Sequence, residues 1–347
     1  MIDFFECVKE MAAYPSVSGG ERSAHKYFAD LSRKYFDSVC TDSIGNIICE
    51  IRSAKKGAPT LLVDAHLDEI GFTVSEITDD GFIKFTNVGG IDAKTLPASA
   101  VTVHGKKDLF GVISSTPPHV RTEKEKGKVP KISDLFIDVG MQAEEIKKEV
   151  CIGDLITVKS EPIRLSGDAF SSRSLDDRLC VLCIIAAAEM IKSRDLNYNF
   201  TAVFSVCEEV SSVGIKTAVK RISPDLAIAV DVTHAYISGD KTDAVYSGEG
   251  AVVSYSDTLS RRFTASLLEA ADKNVQIAAE PGYTGTNAHY IEINADHIPT
   301  GLISLPIRYM HTCSETARLS DCESVARLIK NFVENGNFIS SEEEINA

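Results

Sequence analysis

His66 and Asp68 follow a mostly apolar run from Thr60 to Ala65, Glu208 and Glu209 close a second run, Thr201 to Cys207, and Asp231 closes a third, Leu226 to Val230. Short apolar runs of this kind read as buried strands. In open α/β sheets the carboxyl ends of the strands form the ligand crevice, so three strands ending in ionisable residues can bring those groups together. A single polar residue at a strand end is ordinarily a solvated turn residue; the joint occurrence is the signal. Adjacent carboxylates such as Glu208 and Glu209 face opposite ways on an extended chain, so one can bind a cation while the other faces a reacting water.

Asp176 and Asp177 open a strongly apolar helix. Asp177 suits a helix N-terminus through the helix dipole. Asp176 is the better ligand candidate, because one carboxylate can bridge two cations about 3.5 to 4 Å apart. His311 lies in Arg308-Tyr309-Met310-His311-Thr312-Cys313, after a late strand. With His66, Asp176, Glu209 and Asp231 it completes a nitrogen and oxygen set of the kind zinc or cobalt accepts. The pair Cys180 and Cys183 sits inside the apolar helix with no second pair at zinc-ribbon spacing and reads as core. The sequence has no Gly-x-Ser-x-Gly elbow, no phosphate-binding loop and no His-Glu-x-x-His helix.

Positioning these residues requires an α/β framework. Residues 3–36 show helical spacing broken at Pro15 to Gly20, which predicts two helices and a turn. After Gly71 the texture changes to alternating residues with turn signals at Asp80-Gly81, Gly89-Gly90 and Gly105, a Pro117-Pro118 break and a charged stretch from Thr122 to Lys131. That is a small β-rich unit, with a helix near 143–150 and a strand at 154–158, closing near Pro162 to Leu165. From Asp176 longer elements return: a helix to about Lys192, helical spacing near 263–273, a strand near 301–307, and a final helix. Ser320 followed by Glu323 predicts a capping box at its start. The expectation is an α/β domain interrupted by an inserted β-rich, barrel-like domain, divided as 1–70 with 164–347 around 71–163.

A chain of 347 residues supports one large domain plus a smaller one. The net charge of -14 argues against a nucleic-acid partner, since phosphate binding needs a concentrated positive field. Nine cysteines, an odd number, scattered and often in apolar runs, predict a reducing compartment. The first residues mix charges at helical spacing without a secretion signal, and no apolar run approaches a membrane span. The expected location is the cytoplasm, with no membrane partner.

Ala65-His66-Leu67-Asp68-Glu69-Ile70-Gly71, Leu175-Asp176-Asp177-Arg178, Cys207-Glu208-Glu209-Val210, Asp231 and Pro306-Ile307-Arg308-Tyr309-Met310-His311 together resemble metallopeptidase family 42, the co-catalytic aminopeptidases that include glutamyl aminopeptidases and proteins once labelled cellulase M. Gly111-Val112-Ile113 with Pro117-Pro118-His119 is similar to a segment of that family's β-rich insert. The resemblance covers nearly the whole chain. It implies an open mixed sheet with helices on both faces, and two metals: one held by His66 and Asp231, the other by Glu209 and His311, with Asp176 bridging. It further implies Glu208 as general base, Asp68 orienting the His66 imidazole, short or unfolded peptides as substrates, and dimers built through the insert that assemble into tetrahedral twelve-subunit shells. Two departures stand out: Ser211 where the family has Gly, and Asn287 in place of the aspartate of a Gly-Thr-Asp loop. If that aspartate receives the peptide's amino group, Asn287 weakens the attraction. An amide deacylase with the same metal site and a non-catalytic scaffold are the competing readings; a cellulase would need paired carboxyl groups rather than five metal ligands.

Overall fold

The computed structural model describes residues 2–114, 117, 119–120, 128–239, 245–294 and 297–338. Pro118, most of the charged stretch 122–131 and the acidic tail from 339 lie outside the described residues. Helices α1 (Phe4–Met11) and α2 (Arg22–Ser32) precede strands β1 (Ser38–Thr41), β2 (Ile47–Ile51) and β3 (Thr60–His66). The next segment holds β4 (Gly71–Ile77), β5 (Phe82–Val88), β6 (Ala100–His104), β7 (Asp108–Ser114), β8 (Phe136–Asp138), α3 (Ala143–Glu149) and β9 (Leu155–Val158). Then come β10 (Ile163–Arg164), β11 (Ala169–Ser172), α4 (Arg178–Met190), β12 (Asn199–Ser205), α5 (Val213–Ile222), β13 (Leu226–His234) and β14 (Ala251–Tyr255). The chain finishes with α6 (Arg261–Ala270), β15 (Val275–Ala279), α7 (Asn287–Glu292), β16 (Thr300–Ile307), β17 (Glu315–Arg318) and α8 (Leu319–Asn335).

Eight strands form one mixed sheet in the order β1-β2-β12-β3-β13-β16-β14-β15. Its four central strands, β12, β3, β13 and β16, run parallel, so their carboxyl ends share one edge. Both faces are covered, as a parallel sheet demands. On β3, Leu61, Val63 and Ala65 join the core beneath α1, α2, α4 and α8, whereas Leu62 joins the opposite core with Ile215 of α5 and Ile291 of α7. Helix α4 is buried along every residue from Arg178 to Ala188, so it lies between the sheet and other helices instead of presenting one face to water. Cys180 and Cys183 are buried free thiols within it. Their core reading holds.

Between β3 and β10 the chain closes a six-stranded barrel, β4-β5-β8-β7-β6-β9. Alternation along β7 sends Leu109, Gly111 and Ile113 inward to a separate core with Phe72, Phe85 and Ile137. A three-stranded sheet, β10-β11-β17, leads the chain back to Asp176.

Three local expectations are corrected. Strand β13 does not stop before Asp231 but runs to His234, because it keeps pairing with β16 after its pairing with β3 has ended at Ala229. Asp231 thus has a free flank on the β3 side. Glu208 and Glu209 are not extended: β12 ends at Ser205, Cys207 takes a left-handed φ of 58°, and the two glutamates sit in the turn that follows. The Ser320 capping box does not form, since α8 already begins at Leu319; Asp168 accepts the Leu319 and Ser320 N–H groups instead.

The turn carrying Glu208 and Glu209 is fastened from below. Buried Asn46 accepts from the Val206 N–H at 3.1 Å and donates to the Gly214 carbonyl at 2.9 Å. A Cβ on Gly214 would collide with the Val206 carbonyl oxygen and stand 2.6 Å from Asn46 Oδ1. Gly214→Ala is therefore expected to destabilise the fold by ~1–3 kcal/mol, read as a lower urea midpoint at unchanged slope.

Candidate metal centre

The parallel strands deliver His66, Glu208, Glu209, Asp231 and His311 to one edge, and the start of α4 adds Asp176; all six line a cleft of about 940 Å³. At its centre Asp176 divides its carboxylate between two imidazoles. Oδ1 lies 3.1 Å from His66 Nε2, and Oδ2 lies 3.2 Å from His311 Nε2. His311 Nε2 is also 3.4 Å from Glu209 Oε1. Ligand atoms of His66, Asp176 and Glu209 fall within 4.8 Å of one another, as do those of His66, Asp177 and Asp231.

The charges of this cluster do not balance among themselves. Burial opposes protonation of His66, yet hydrogen bonds to Asp176 and Asp68 outweigh it and hold its pKa well above the ordinary value. Hydrogen bonds to Asp176 and Glu209 carry His311 up to about 11. Burial pushes Glu208 up to about 7 and raises Glu209, while Asp231 and Asp177 are driven far up by burial and by neighbouring carboxylates. Asp177 Oδ1 is buried without a partner. Such a site calls for positive charge, and its imidazole and carboxylate donors fit divalent cations. The residues that could hold them are His66, Asp176, Glu209, Asp231 and His311. Asp177 does stand at the N-terminus of α4, as the helix dipole favours, but it makes no side-chain capping bond there, and its place in the cluster beside His66 and Asp231 is an addition that the sequence did not announce.

Behind these groups lie carboxylates with fixed donors. Asp68 accepts from the Glu208 and Glu209 N–H groups at 2.9 and 3.2 Å and from the Ser18 hydroxyl. It orients His66 mainly by its main-chain carbonyl, 3.0 Å from Nδ1, with the carboxylate at 3.5 Å. Glu69 meets Arg173, Ser174 and the Ser16 N–H. Glu315, also missed, accepts from the N–H groups of Leu175 at 2.7 Å, Asp176 at 3.2 Å and His311 at 2.9 Å. No local pattern announces it, because two of its three donors lie 140 and 139 residues earlier in the chain. From the barrel, the Gly89-Gly90 turn closes over the cluster: a Cβ at Gly90 would stand 3.1 Å from His311 Nδ1.

Comparison with known proteins bears directly on this arrangement. The family model described as M42 glutamyl aminopeptidase matches residues 45–328. The chain belongs to this family. M42 enzymes are metal-dependent aminopeptidases, and this one is accordingly a hydrolase acting on peptide bonds. It is 31% identical over 343 residues to a lysyl aminopeptidase of Pyrococcus furiosus, covering 96% of this chain and 97% of that one. Among solved structures, an aminopeptidase from the archaeon Desulfurococcus kamchatkensis matches with a TM-score of 0.89 at 31% identity, covering 96% and 94% of the two chains. A TET peptidase of Pyrococcus horikoshii, described as assembling into a tetrahedron or a large octahedral shell, matches at 0.85 and 32% identity, covering 96% and 100%. The mixed α/β fold with its closed barrel is the one these M42 relatives lead one to expect.

The two departures from the M42 pattern resolve locally. Ser211 is absent from the left-handed residues, and it is the next residue, Ser212 with φ 52°, that takes that conformation. Asn287 does not face the cleft. It is buried, and its amide donates to Asp64 at 2.7 Å and to Ser205 at 3.0 Å, so it braces α7 against the sheet. Replacing Glu315 by Gln sets an amide NH₂ against at least one of three backbone donors. A buried unsatisfied donor costs roughly 1–3 kcal/mol, and Glu315→Gln is expected to lose that much in urea unfolding.

Proposed function

We propose that His66 and Asp231 hold one divalent ion and Glu209 and His311 a second, with Asp176 shared between them, and that the enzyme removes N-terminal residues from short or unfolded peptides. The observation that carries this reading is the division of the Asp176 oxygens between two imidazoles at 3.1 and 3.2 Å. Zinc or cobalt suits these donors. When bound, such ions supply Lewis acidity for the scissile carbonyl and for the attacking water.

The chain's own residues supply the rest. Glu208 faces the cleft, and among the described residues no donor is hydrogen-bonded to its carboxylate. It acts as general base, taking the proton of the attacking water and passing it to the departing amine. Asp68 fixes the backbone of Glu208 and Glu209 through their N–H groups and so sets the base beside the ligands.

We extend the proposal to the assembly. Residues 71–163 form an inserted dimerisation domain within a catalytic domain of 1–70 and 164–347, and a second copy of the chain is its partner. Phe110 and Val112 support this, being 54% and 44% exposed on the outward face of β7. A cytoplasmic location is supported by nine free cysteines, and among the described residues no helix is long and apolar enough to cross a membrane.

Four measurements test these assignments. Enzyme stripped by chelator and resupplied with zinc or cobalt is expected to regain cleavage of unblocked aminoacyl amides but not of their acetylated forms; cleavage of the acetylated set alone would favour a deacylase. Glu208→Gln is expected to lower kcat by about 10² to 10⁴ or more while metal content by elemental analysis stays near that of the parent. Asp176→Ala is expected to lose bound metal as well as activity, since cations without their shared carboxylate repel across a short gap. For the assembly, Phe110→Glu is expected to reduce the mass found by light scattering, and an unchanged mass would remove the barrel face from the interface.

A further inference from the structure

Glu280 lies immediately after β15, on the wall of the cleft that holds the candidate metal ligands. Its Oε1 accepts from the buried Ser254 hydroxyl at 2.7 Å, and its N–H donates to the Tyr255 carbonyl at 2.8 Å, so the carboxylate is held in place. Among the described residues lining this cleft there is no lysine or arginine; around Glu280 the wall is Ile277, Ala278, Ala279 and Thr284. Asp176, Glu208, Glu209 and Asp231 gather around the proposed metals, whereas Glu280 is the one acidic residue among those lining the cleft that stands apart from that cluster. A part-buried carboxylate without a cationic partner favours a ligand that brings one.

The sheet register says how far that ligand must reach. Asp231 on β13 pairs with Ser304 on β16, which pairs with Val252 on β14, and all three side chains point to one face. Ser254 is two residues further along β14 on the same face. With strands about 4.8 Å apart and a rise of about 3.4 Å per residue, Ser254 lies roughly 12 Å from Asp231. The Glu280 carboxylate, bonded to Ser254, stands at about the same remove. The α-amino group of a peptide is one bond from the Cα beside the scissile carbonyl and stays near the ligands. A short side chain falls short as well. A lysine or arginine side chain, with its charge at the end of a long stem, spans the gap.

We infer that Glu280 is a specificity-determining residue that receives the basic side chain of the substrate's first residue, making lysine and arginine the preferred N-terminal residues. The inference rests on the proposed metal centre, which puts the reacting bond next to Asp231. The names of the relatives do not decide it, since one is a lysyl aminopeptidase while the family is described as glutamyl.

The test compares kcat/KM for lysyl and norleucyl p-nitroanilides, norleucine being the uncharged counterpart of lysine, in metal-resupplied wild type, E280Q and E280K. A charge-assisted hydrogen bond corresponds to about tenfold or more, so wild type is expected to favour lysine over norleucine by that factor. E280Q is expected to bring the ratio down about tenfold, and E280K to favour glutamyl over glutaminyl amides. Norleucine turnover in the same E280Q preparation shows that the variant has folded. A wild-type ratio at or below one overturns the inference even if no variant can be made. A ratio unchanged in E280Q, or an equal fall on every substrate, also overturns it, the latter by assigning Glu280 to a feature all substrates share. Wild type that binds metal yet cleaves no unblocked amide is a different result, which removes the metal-centre reading first.

Discussion

Mutual repulsion among buried carboxylates is the constraint on which this structure turns. Asp176, Asp177, Glu209 and Asp231 approach His66 or one another closely enough that ligand atoms lie within 4.8 Å in two overlapping groups. Two like unit charges about 4 Å apart repel by roughly 4 kcal/mol at an effective dielectric constant of 20. No fold places such groups together for stability. The parallel strands, the turn after β12 and the start of α4 hold them there against that repulsion; burial first, and the neighbouring carboxylates in addition, push the pKa values of Glu208, Asp231 and Asp177 up.

The acidic residues divide by what answers their charge. Asp68, Glu69 and Glu315 are buried behind the cleft, and each is met by permanent donors: backbone N–H groups for Asp68 and Glu315, arginines and a hydroxyl for Glu69. These anchors join segments distant in sequence, since Glu315 ties the residues around Asp176 to His311, and Asp68 ties β3 to the turn after β12. The groups of the metal cluster have mainly one another and two imidazoles, with single backbone N–H donors at Asp231, from Val232, and at Asp177, from His66. Satisfying one set internally holds the other in an arrangement whose crowded negative charge divalent ions can neutralise. The rigidity of the ligand positions comes from the first set.

Much of this was legible in the sequence because the informative residues follow strong apolar runs. The ends of β3 and β12 mark His66 and Glu208 without reference to the rest of the chain, and the change to alternation after Gly71 marks the barrel. What escaped depended on partners far away in sequence. Asp231 appeared to end its strand because pairing with β16, some seventy residues later, cannot be seen in a local pattern. The capping role assigned to Ser320 belongs to Asp168, which approaches across the β10-β11-β17 sheet. Asn287 looked like a pocket residue from its loop motif, but its environment is set by Asp64 and Ser205 on other strands. Glu315 carries no apolar periodicity to announce it, and its role exists only once α4 and the loop bearing His311 are brought together.

The barrel enters four residues after Leu67 and the chain returns from β11 to Asp176 within four residues of Ser172, so both of its connections end beside candidate ligands. Its Gly89-Gly90 turn reaches back over the centre, where Gly89 takes a φ of 79° with Ile70 too close for a Cβ, and a Cβ on Gly90 would crowd His311. An insertion at a remote loop would be free to vary without touching the chemistry. Here the insert supplies a wall of the site, and its separate core of Phe72, Phe85 and Ile137 keeps that wall rigid. The barrel and the sheet are therefore two cores with one shared boundary, and the boundary is where the carboxylates converge.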